Sequence, residues 1–219
     1  YGGMGLDYSY NLVAAEEFGR AHCGGVPLAI GVQTDMATPA LARFGNEELC
    51  KEYLVPAIKG EMVASIAVSE PGAGSDAAAV RTSAKRVDGG WRVTGQKVWT
   101  SLAHLCQWGL ATVRTDPDAP KHAGVTMMAI DMGAEGVTVN PLRGITGDSH
   151  FNEVFFDDVF VPDSDVVGDV NKGWLVARAT LGNERISIGG GSGAPTGTTP
   201  DHLITLLDGA PETAARYVR

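Results

Sequence analysis

The chain has few cysteines, and neither they nor its histidines show the spacing of a structural site. Three cysteines are spread over 219 residues without a C-x-x-C pair, and the five histidines show neither H-x-x-x-H nor H-E-x-x-H spacing. The sequence therefore predicts neither a disulfide framework nor a metal site. Buried free thiols fit a reducing compartment best.

Long apolar runs and an excess of positive charge are also missing. No run approaches the length of a membrane span, and no basic region followed by an apolar core stands at the N-terminus. The net charge of −9 argues against nucleic acid and against an anionic membrane surface as partners. These features favour the bacterial cytoplasm, or the mitochondrial matrix if the source is eukaryotic.

A glycine loop near residue 72 lacks the surroundings of the common nucleotide motifs. Gly72, Gly74 and Ala77 fit a relaxed G-x-G-x-x-A pattern, but the segments 80–87 and 91–94 that follow indicate strand, tight turn and strand. A dinucleotide fold needs a helix there. No Gly-Lys-Ser/Thr follows, and no stretch fits G-x-S-x-G, so a P-loop and a serine hydrolase are disfavoured. Either a ligand-facing loop or a plain surface turn remains.

Helical and β-rich patterns divide the chain into three parts. Helical patterns cover 9–18, with Ser9 as its cap, then 30–44 and a segment that Asn46 caps and that ends before Pro56. Eight β-rich runs follow, at 62–68, 80–87, 91–94, 97–101, 108–114, 125–131, 137–141 and 153–161. Separated by turn residues, these runs predict an antiparallel β-barrel or sandwich.

Helical periodicity returns at 172–188. A linker rich in Gly, Pro and Thr follows at 189–200, and short helices are predicted at 202–207 and 212–218. The fold class is therefore α+β and multidomain. Its parts are a helical N-terminal part (1–60), a β-barrel middle domain (61–168) and a helical C-terminal part (169–219).

Four stretches resemble the acyl-CoA dehydrogenase family. Val-Ser-Glu-Pro-Gly-Ala-Gly-Ser-Asp at 68–76 and Gly-Gln-Lys-Val-Trp-Thr-Ser at 95–101 resemble its two flavin-binding signatures. The segment 151–162 resembles the close of its middle β-domain, and Leu-Gly-Asn-Glu-Arg at 181–185 its next helix. The resemblance implies a partial chain, without the N-terminal start and most of the C-terminal helical domain.

The resemblance also implies an activity. The expected cofactor is FAD, and the reaction is α,β-dehydrogenation of an acyl-CoA thioester, in which a base takes the α proton and flavin N5 takes the β hydride. Electrons would pass to an electron-transfer flavoprotein. Family members form homo- or hetero-oligomers, dimers or tetramers, in which a neighbouring subunit completes the FAD site. An acyl-CoA oxidase and a non-catalytic partner subunit of a heteromeric enzyme remain alternatives.

The flavin site is carried over residue by residue. The implied cofactor-binding residues are Ile66, Val68, Ser69, Gly74, Ser75, Trp99, Thr100 and Ser101. Ser69 would bond the pyrimidine edge, Ser75 would also touch the CoA arm, and Trp99 would pack on the isoalloxazine ring. From the residues alone, Trp99 is better explained as a core aromatic of a strand. Leu-Ala-His at 102–104 departs from the family's usual Asn-Gly-Gly.

The candidate base stands on the helix predicted at 172–188. Ala177, Leu181, Glu184 and Ile188 fall at i, i+4, i+7 and i+11, which places Glu184 on an apolar stripe. Loss of hydration there favours the protonated form of a carboxylate, as a general base working near neutral pH requires.

The resemblance supports this base assignment. Glu184 coincides with the position from which isovaleryl- and long-chain-type members supply their base, whereas most other members use a later helix. Asn183 and Arg185 would then lie near the substrate, with Arg185 beside the base. The alternative is structural, with Glu184 paired to Arg178 or Arg185 on the helix surface.

Overall fold

The computed structural model describes residues 1–21 and 23–189. They fall into two units, one formed by residues 1–4 and 32–184, the other by 5–21, 23–31 and 185–189. Apart from its first residue, the linker predicted at 189–200 lies outside the described residues, as do the helices predicted at 202–207 and 212–218. None of the helices within these ranges has the length and apolar character needed to cross a membrane.

In its described N-terminal stretch, the second unit forms the helices α1 (Ser9–Gly19) and α2 (Gly25–Gly31). The predicted capping by Ser9 is wrong, because Ser9 is the first helical residue and its own N–H donates to the Asp7 carboxylate at 2.8 Å. Cys23 is exposed, so the expectation of buried thiols fails there, while the other two cysteines are buried.

The helical part of the first unit alternates between α and π geometry. Its segments are a π-helix at Val32–Ala37, α3 (Thr38–Phe44), α4 (Glu47–Leu49), a π-helix at Cys50–Leu54 and α5 (Val55–Lys59). Asn46 caps α4 as predicted, accepting the Leu49 N–H at 2.8 Å. The predicted stop before Pro56 is wrong. Pro56 stands in the first turn of α5, where its missing N–H costs no helical bond.

Eight strands follow in one sheet. They are β1 (Ala64–Ala67), β2 (Ser83–Val87), β3 (Gly90–Ser101), β4 (Trp108–Arg114), β5 (Val125–Asp131), β6 (Val137–Leu142), β7 (Phe151–Pro162) and β8 (Val166–Val167). The strand order is β6-β7-β3-β2-β4-β5-β8, and β1 pairs with β4. The predicted β-rich middle domain is therefore confirmed.

The predicted antiparallel barrel needs correction. Most neighbouring strands are antiparallel, but β1 and β4 are parallel, and β2 touches β4 in parallel at one residue pair. The two end strands of the order, β6 and β8, do not pair with each other. The domain is therefore a mixed, open sheet. The prediction failed because the spacing of turn residues indicates where strands end but not whether the outer strands pair with each other.

Strands β4 and β5 are buried on both faces. One core cluster holds Trp108, Leu110, Met127 and Ala129 together with Leu41 and Tyr53 of the helical part. The alternate residues Ala111, Val113, Met128 and Ile130 join a second cluster with residues of β3 and β7. Burial on both faces explains why these two strands appear in the sequence as continuous apolar runs.

The helix α6 (Gly173–Gly189) begins tightly against the sheet. A Cβ placed on Gly173 would lie 2.3 Å from the Met127 nitrogen, so only glycine fits there. Val176 and Ala177 then join the first core cluster. The predicted helix at 172–188 is thereby confirmed within one residue at each end.

Candidate functional site

The glycine loop follows β1 and folds back on itself before β2. Glu70 and Ala73 exchange two backbone hydrogen bonds, at 3.1 and 3.0 Å. The loop then enters only a three-residue 3-10 turn, Ala77–Ala79. A dinucleotide fingerprint would open a full helix here, so the rejection of that motif is confirmed.

The outer edge of the loop is open. Gly72, Gly74 and Ser75 are exposed. A Cβ at either glycine would meet no described atom within 4 Å. The loop therefore presents bare backbone and the Ser75 hydroxyl at the surface, an arrangement that lets a ligand approach closely.

The loop lies directly against β3, so the first two resembling segments are neighbours in space. The Val98 N–H donates to the Ser69 carbonyl at 2.9 Å. Lys97 and Val68 immediately precede these two residues, and the Lys97 ammonium donates to the Val68 carbonyl at 3.3 Å. Ser69, whose hydroxyl is a predicted flavin contact, is half-buried at this junction.

A buried ion pair stands below this junction. Lys97 Nζ lies 2.8 Å from Glu70 Oε1, and the two side chains are 0% and 6% exposed. Lys97 also donates to Thr112 Oγ1 at 3.2 Å. Glu70 accepts two backbone N–H groups as well, from Arg81 at 2.7 Å and from Thr82 at 3.0 Å. Both charged groups are thus surrounded by hydrogen-bond partners, as buried charges require.

Burial is the largest single influence on the pKa of each group in this pair. It lowers the pKa of Lys97 to about 8, and the attraction of Glu70 offsets only part of that effect. Burial also acts to raise the pKa of Glu70, but the Lys97 charge and the hydrogen bonds from Lys97, Arg81 and Thr82 outweigh it and hold that pKa below its ordinary value. Both groups are therefore charged at neutral pH.

Trp99 is turned outward by a break in the strand. The β3–β7 register shifts between Lys97 and Thr100, and Trp99 takes a left-handed backbone with φ 62°. Its side chain is 61% exposed and meets Phe151 edge-on, with ring centroids 5.6 Å apart. A bulky residue at positive φ is a genuine outlier of the kind that clusters at functional sites. The alternative of Trp99 as a core aromatic is excluded.

The next two residues of β3 face opposite ways. Ser101 is exposed on the same strand as Trp99, whereas Thr100 is fully buried. Thr100 Oγ1 has no hydrogen-bond partner among the described residues, nor has the Nδ2 atom of its cross-strand neighbour Asn152. His104 Nδ1 lies 3.2 Å from Asn152 Oδ1. The cofactor role of Thr100 stays a prediction.

The predicted flavin residues of β1 are less accessible than Trp99. Ile66 is half-buried and packs against the first core cluster. Val68 is 5% exposed, and its carbonyl accepts from Lys97 and, at 3.4 Å, from Thr112. The cofactor roles of Ile66, Val68 and Ser69 stay predictions.

The residues around the predicted base lie near the end of the first unit. Asn183 and Glu184 are half-buried on α6, and the exposed Arg185 begins the next stretch of the second unit. The role of Glu184 as base and its structural alternative, pairing with Arg178 or Arg185, both stay predictions.

Sequence reasoning missed the ion pair. Val93, four residues before Lys97, is fully buried. Because side chains alternate between the two faces of a strand, the position of Val93 predicts that the side chain of residue 97 also points inward. A lysine needs an anionic partner inside a core, and Glu70 is the acid of the facing segment.

Among residues 1–21 and 23–189, no group of three or more His, Cys, Asp or Glu could hold a metal ion.

Comparisons with known proteins agree with this architecture. The family model described as acyl-CoA dehydrogenase, N-terminal domain, matches residues 1–61, and that of the middle domain matches residues 65–159. The acyl-CoA dehydrogenase FadE34 of Mycobacterium tuberculosis is 46% identical over 94% of this chain and 28% of its own length. The mitochondrial isovaleryl-CoA dehydrogenase of Solanum tuberosum is 37% identical over 87% of this chain and 46% of its own length.

A solved structure gives the same picture. The Tcur3481-Tcur3483 steroid ACAD G363A variant superposes with a TM-score of 0.77 at 32% identity, covering 99% of this chain and 54% of that one. The chain spans about half, or less, of the length of the relatives that it matches. Two family models in register and relatives named for one enzyme class lead to one conclusion. The chain belongs to the acyl-CoA dehydrogenase family.

Proposed function

We propose that the full-length protein is an FAD-dependent acyl-CoA dehydrogenase that forms the α,β double bond of an acyl-CoA thioester. The carrying observation is Trp99, an exposed indole held on a left-handed bulge beside the open glycine loop. When bound there, the flavin supplies the hydride acceptor for the substrate β carbon. Exposing so large an apolar ring on a strained backbone is explained if a flat ligand covers it.

The residues at the loop–β3 junction fit such a ligand. Trp99 offers an apolar face. Ser69, on the glycine-loop side of the junction, and Ser101, two residues after Trp99 on β3, offer hydroxyls. Gly74 and Ser75 form the open edge at which a thioester arm can approach the backbone. In the proposed site, Ser69 bonds the pyrimidine edge of the flavin, Ser101 lies near N5, and Ser75 touches the CoA arm.

Glu184 is the proposed base. Its carboxylate would take the α proton while the β hydride leaves, so that the two electrons of the β C–H bond reach the flavin and a neutral double bond remains. Half-burial on α6, within the Leu-Gly-Asn-Glu-Arg stretch that resembles the family, supports this role.

Electron transfer and assembly form the remaining part of the proposal. Electrons would pass from the reduced flavin to an electron-transfer flavoprotein, and an oligomer would complete the FAD site. The non-catalytic partner subunit stays the second candidate. It is favoured by the similar structure whose printed title pairs two names, Tcur3481 and Tcur3483. An acyl-CoA oxidase differs in passing electrons from the reduced flavin to oxygen.

An absorption spectrum of the purified full-length protein tests the proposal. The oxidised flavin bands should be present, and they should bleach when acyl-CoAs are added without oxygen. A panel of straight, branched and steroid-derived acyl-CoAs identifies the substrate class by the fastest bleaching. Flavin that stays oxidised with every member supports the partner-subunit candidate. Rapid recovery of the bands in air, without an electron-transfer flavoprotein, supports the oxidase.

The base is tested by Glu184→Gln. Loss of general-base catalysis should slow flavin bleaching by about 10²–10⁴-fold while the flavin content stays native. Glu135→Gln is the matched control, because Glu135 is an exposed acid of the same unit. Unchanged bleaching in Glu184→Gln, with flavin retained, would remove Glu184 from the mechanism.

A further inference from the structure

One carboxylate holds both ends of the glycine loop. Glu70 stands where the loop leaves β1, and its two oxygens accept the N–H groups of Arg81 and Thr82, where the loop returns toward β2. Between these points lies the open edge with Gly72, Gly74 and Ser75 at the surface. The geometry of the whole loop therefore depends on where one side chain is held.

Lys97 decides that position. Its ammonium has three hydrogens and three acceptors, which are Val68 O on the β1 side, Glu70 Oε1 in the loop and Thr112 Oγ1 on β4. Because all three bonds are made, the side chain has one arrangement, and it links β1, the loop and β4 to β3. A fully satisfied buried network of this kind rigidifies its surroundings.

Stability alone is a weak reason for such a pair. Burying two charges costs about as much desolvation as their attraction returns, and apolar replacements of similar volume are often neutral or stabilising. Of the ion pairs between described residues, this one has both side chains buried, while the others are exposed. Its location, two residues before the outward-turned Trp99, suggests a role in the site.

We propose that Glu70 and Lys97 are a positioning pair that locks the glycine loop and Trp99 into one preformed seat for the flavin. The Val98 N–H to Ser69 O bond joins the chain neighbours of the pair, so holding Lys97 in place would also hold Ser69 beside the part of β3 that leads to Trp99. Pre-organisation of this kind raises affinity by lowering the ordering cost of binding. The identity of the ligand rests on the proposed function, whereas the rigidity of the seat does not.

The test separates positioning from stability. In the full-length protein, the double variant Glu70→Gln/Lys97→Met removes both charges and should unfold near the native temperature. In the flavin-free protein, amide exchange of residues 69–80 should be about tenfold faster or more, because the loop opens locally. The dissociation constant for added FAD should rise by about tenfold or more, since small misplacements of a site cost that much.

Lys51→Met is the matched control. It makes the same substitution in an exposed lysine, whose partner Glu47 lies at 2.6 Å, and should change neither readout. A double variant with native stability, native loop exchange and native FAD affinity would overturn the proposal. If the native protein binds no FAD, the proposed function fails, and the loop exchange still decides whether the pair holds the loop.

A second variant covers the case in which the double variant does not fold. Thr112→Val removes one acceptor of Lys97 and keeps both charges and the volume of the side chain. Loop exchange and the FAD dissociation constant should then rise by about threefold or more, in keeping with the loss of the hydrogen bonds that Thr112 makes with Lys97 and with the Val68 carbonyl. No change in either readout would equally overturn the proposal.

Discussion

Replacing Lys97 with methionine should destabilise the first unit more than removal of any exposed charge. Methionine replaces much of the aliphatic stem, but it leaves the Glu70 carboxylate, 6% exposed, without its cation. Breaking a buried ion pair in this way costs about 3–5 kcal/mol. Because 1 kcal/mol shifts the melting temperature of a domain of this size by about 2–4 °C, thermal unfolding should begin about 6–20 °C lower.

The same experiment has a pH arm with a fixed sign. The native pKa of Glu70 lies below its ordinary value of 4.5, so its stabilising contribution is present above that value and is lost as pH falls through the folded-state pKa. In Lys97→Met the lowering effect of Lys97 is gone and burial raises the pKa of Glu70. The stability deficit of the variant should therefore be largest near neutral pH and shrink as pH falls, first as Glu70 of the variant takes up a proton and last as pH passes the lower folded-state pKa of the native protein.

Two controls make the reasoning refutable. Lys51→Met breaks an exposed pair and should cost no more than about 1 kcal/mol. Adding Glu70→Gln to Lys97→Met should restore most of the lost stability, because the uncompensated charge is removed. A single variant no worse than Lys51→Met, or a double variant less stable than the single, would show that the buried charge is not the cause.

Three further variants test other features of the structure. Trp99→Ala should change the free energy of unfolding by less than about 0.5 kcal/mol, because the ring is exposed, yet it should lower flavin content, measured by absorbance. The Asp165 carboxylate accepts the Tyr53 hydroxyl at 2.9 Å, and burial raises its pKa above the ordinary value of 3.8. The free energy of unfolding of the native protein therefore falls as pH rises above 3.8. Asp165→Asn should therefore melt at or above the native temperature at pH 7 and lose that advantage toward pH 4; a lower melting temperature at pH 7 would contradict this. Gly173→Ala should cost about 1–3 kcal/mol in denaturant unfolding, because its Cβ would meet the backbone of β5 at 2.3 Å.

The sequence predicts best where side-chain pattern and burial agree. The runs 108–114 and 125–131 match β4 and β5 residue for residue, since both strands are mostly apolar, are buried up to their last residue and are followed by turn residues. The turn predicted at 88–90 is also confirmed, with Gly89 at φ 73° between β2 and β3. Local chemistry alone decides these features.

Prediction fails where contacts between distant residues decide the geometry. The sequence splits β3 into two runs around Gly95, whereas the structure continues the strand through two register shifts against β7. Gly95 permits the first shift, since its Cβ would lie 2.6 Å from Thr82 Cα. No periodicity marks the second shift, and it is the one that turns Trp99 outward.

The candidate site is built on that second irregularity, and its support comes from far along the chain. A left-handed tryptophan costs about 1–3 kcal/mol of backbone strain, which the surrounding structure must outweigh. Here nearby residues on both sides of Trp99 are held inside: Thr100 is fully buried, and Lys97, two residues before Trp99, is anchored to Glu70, 27 positions earlier. Under the positioning role proposed for Glu70 and Lys97, the conformation of Trp99 depends on a pair of charges in two separate segments. For this reason the resemblance of both segments to flavin signatures indicates the candidate site, whereas the spacing of either one alone leaves Trp99 indistinguishable from a core aromatic.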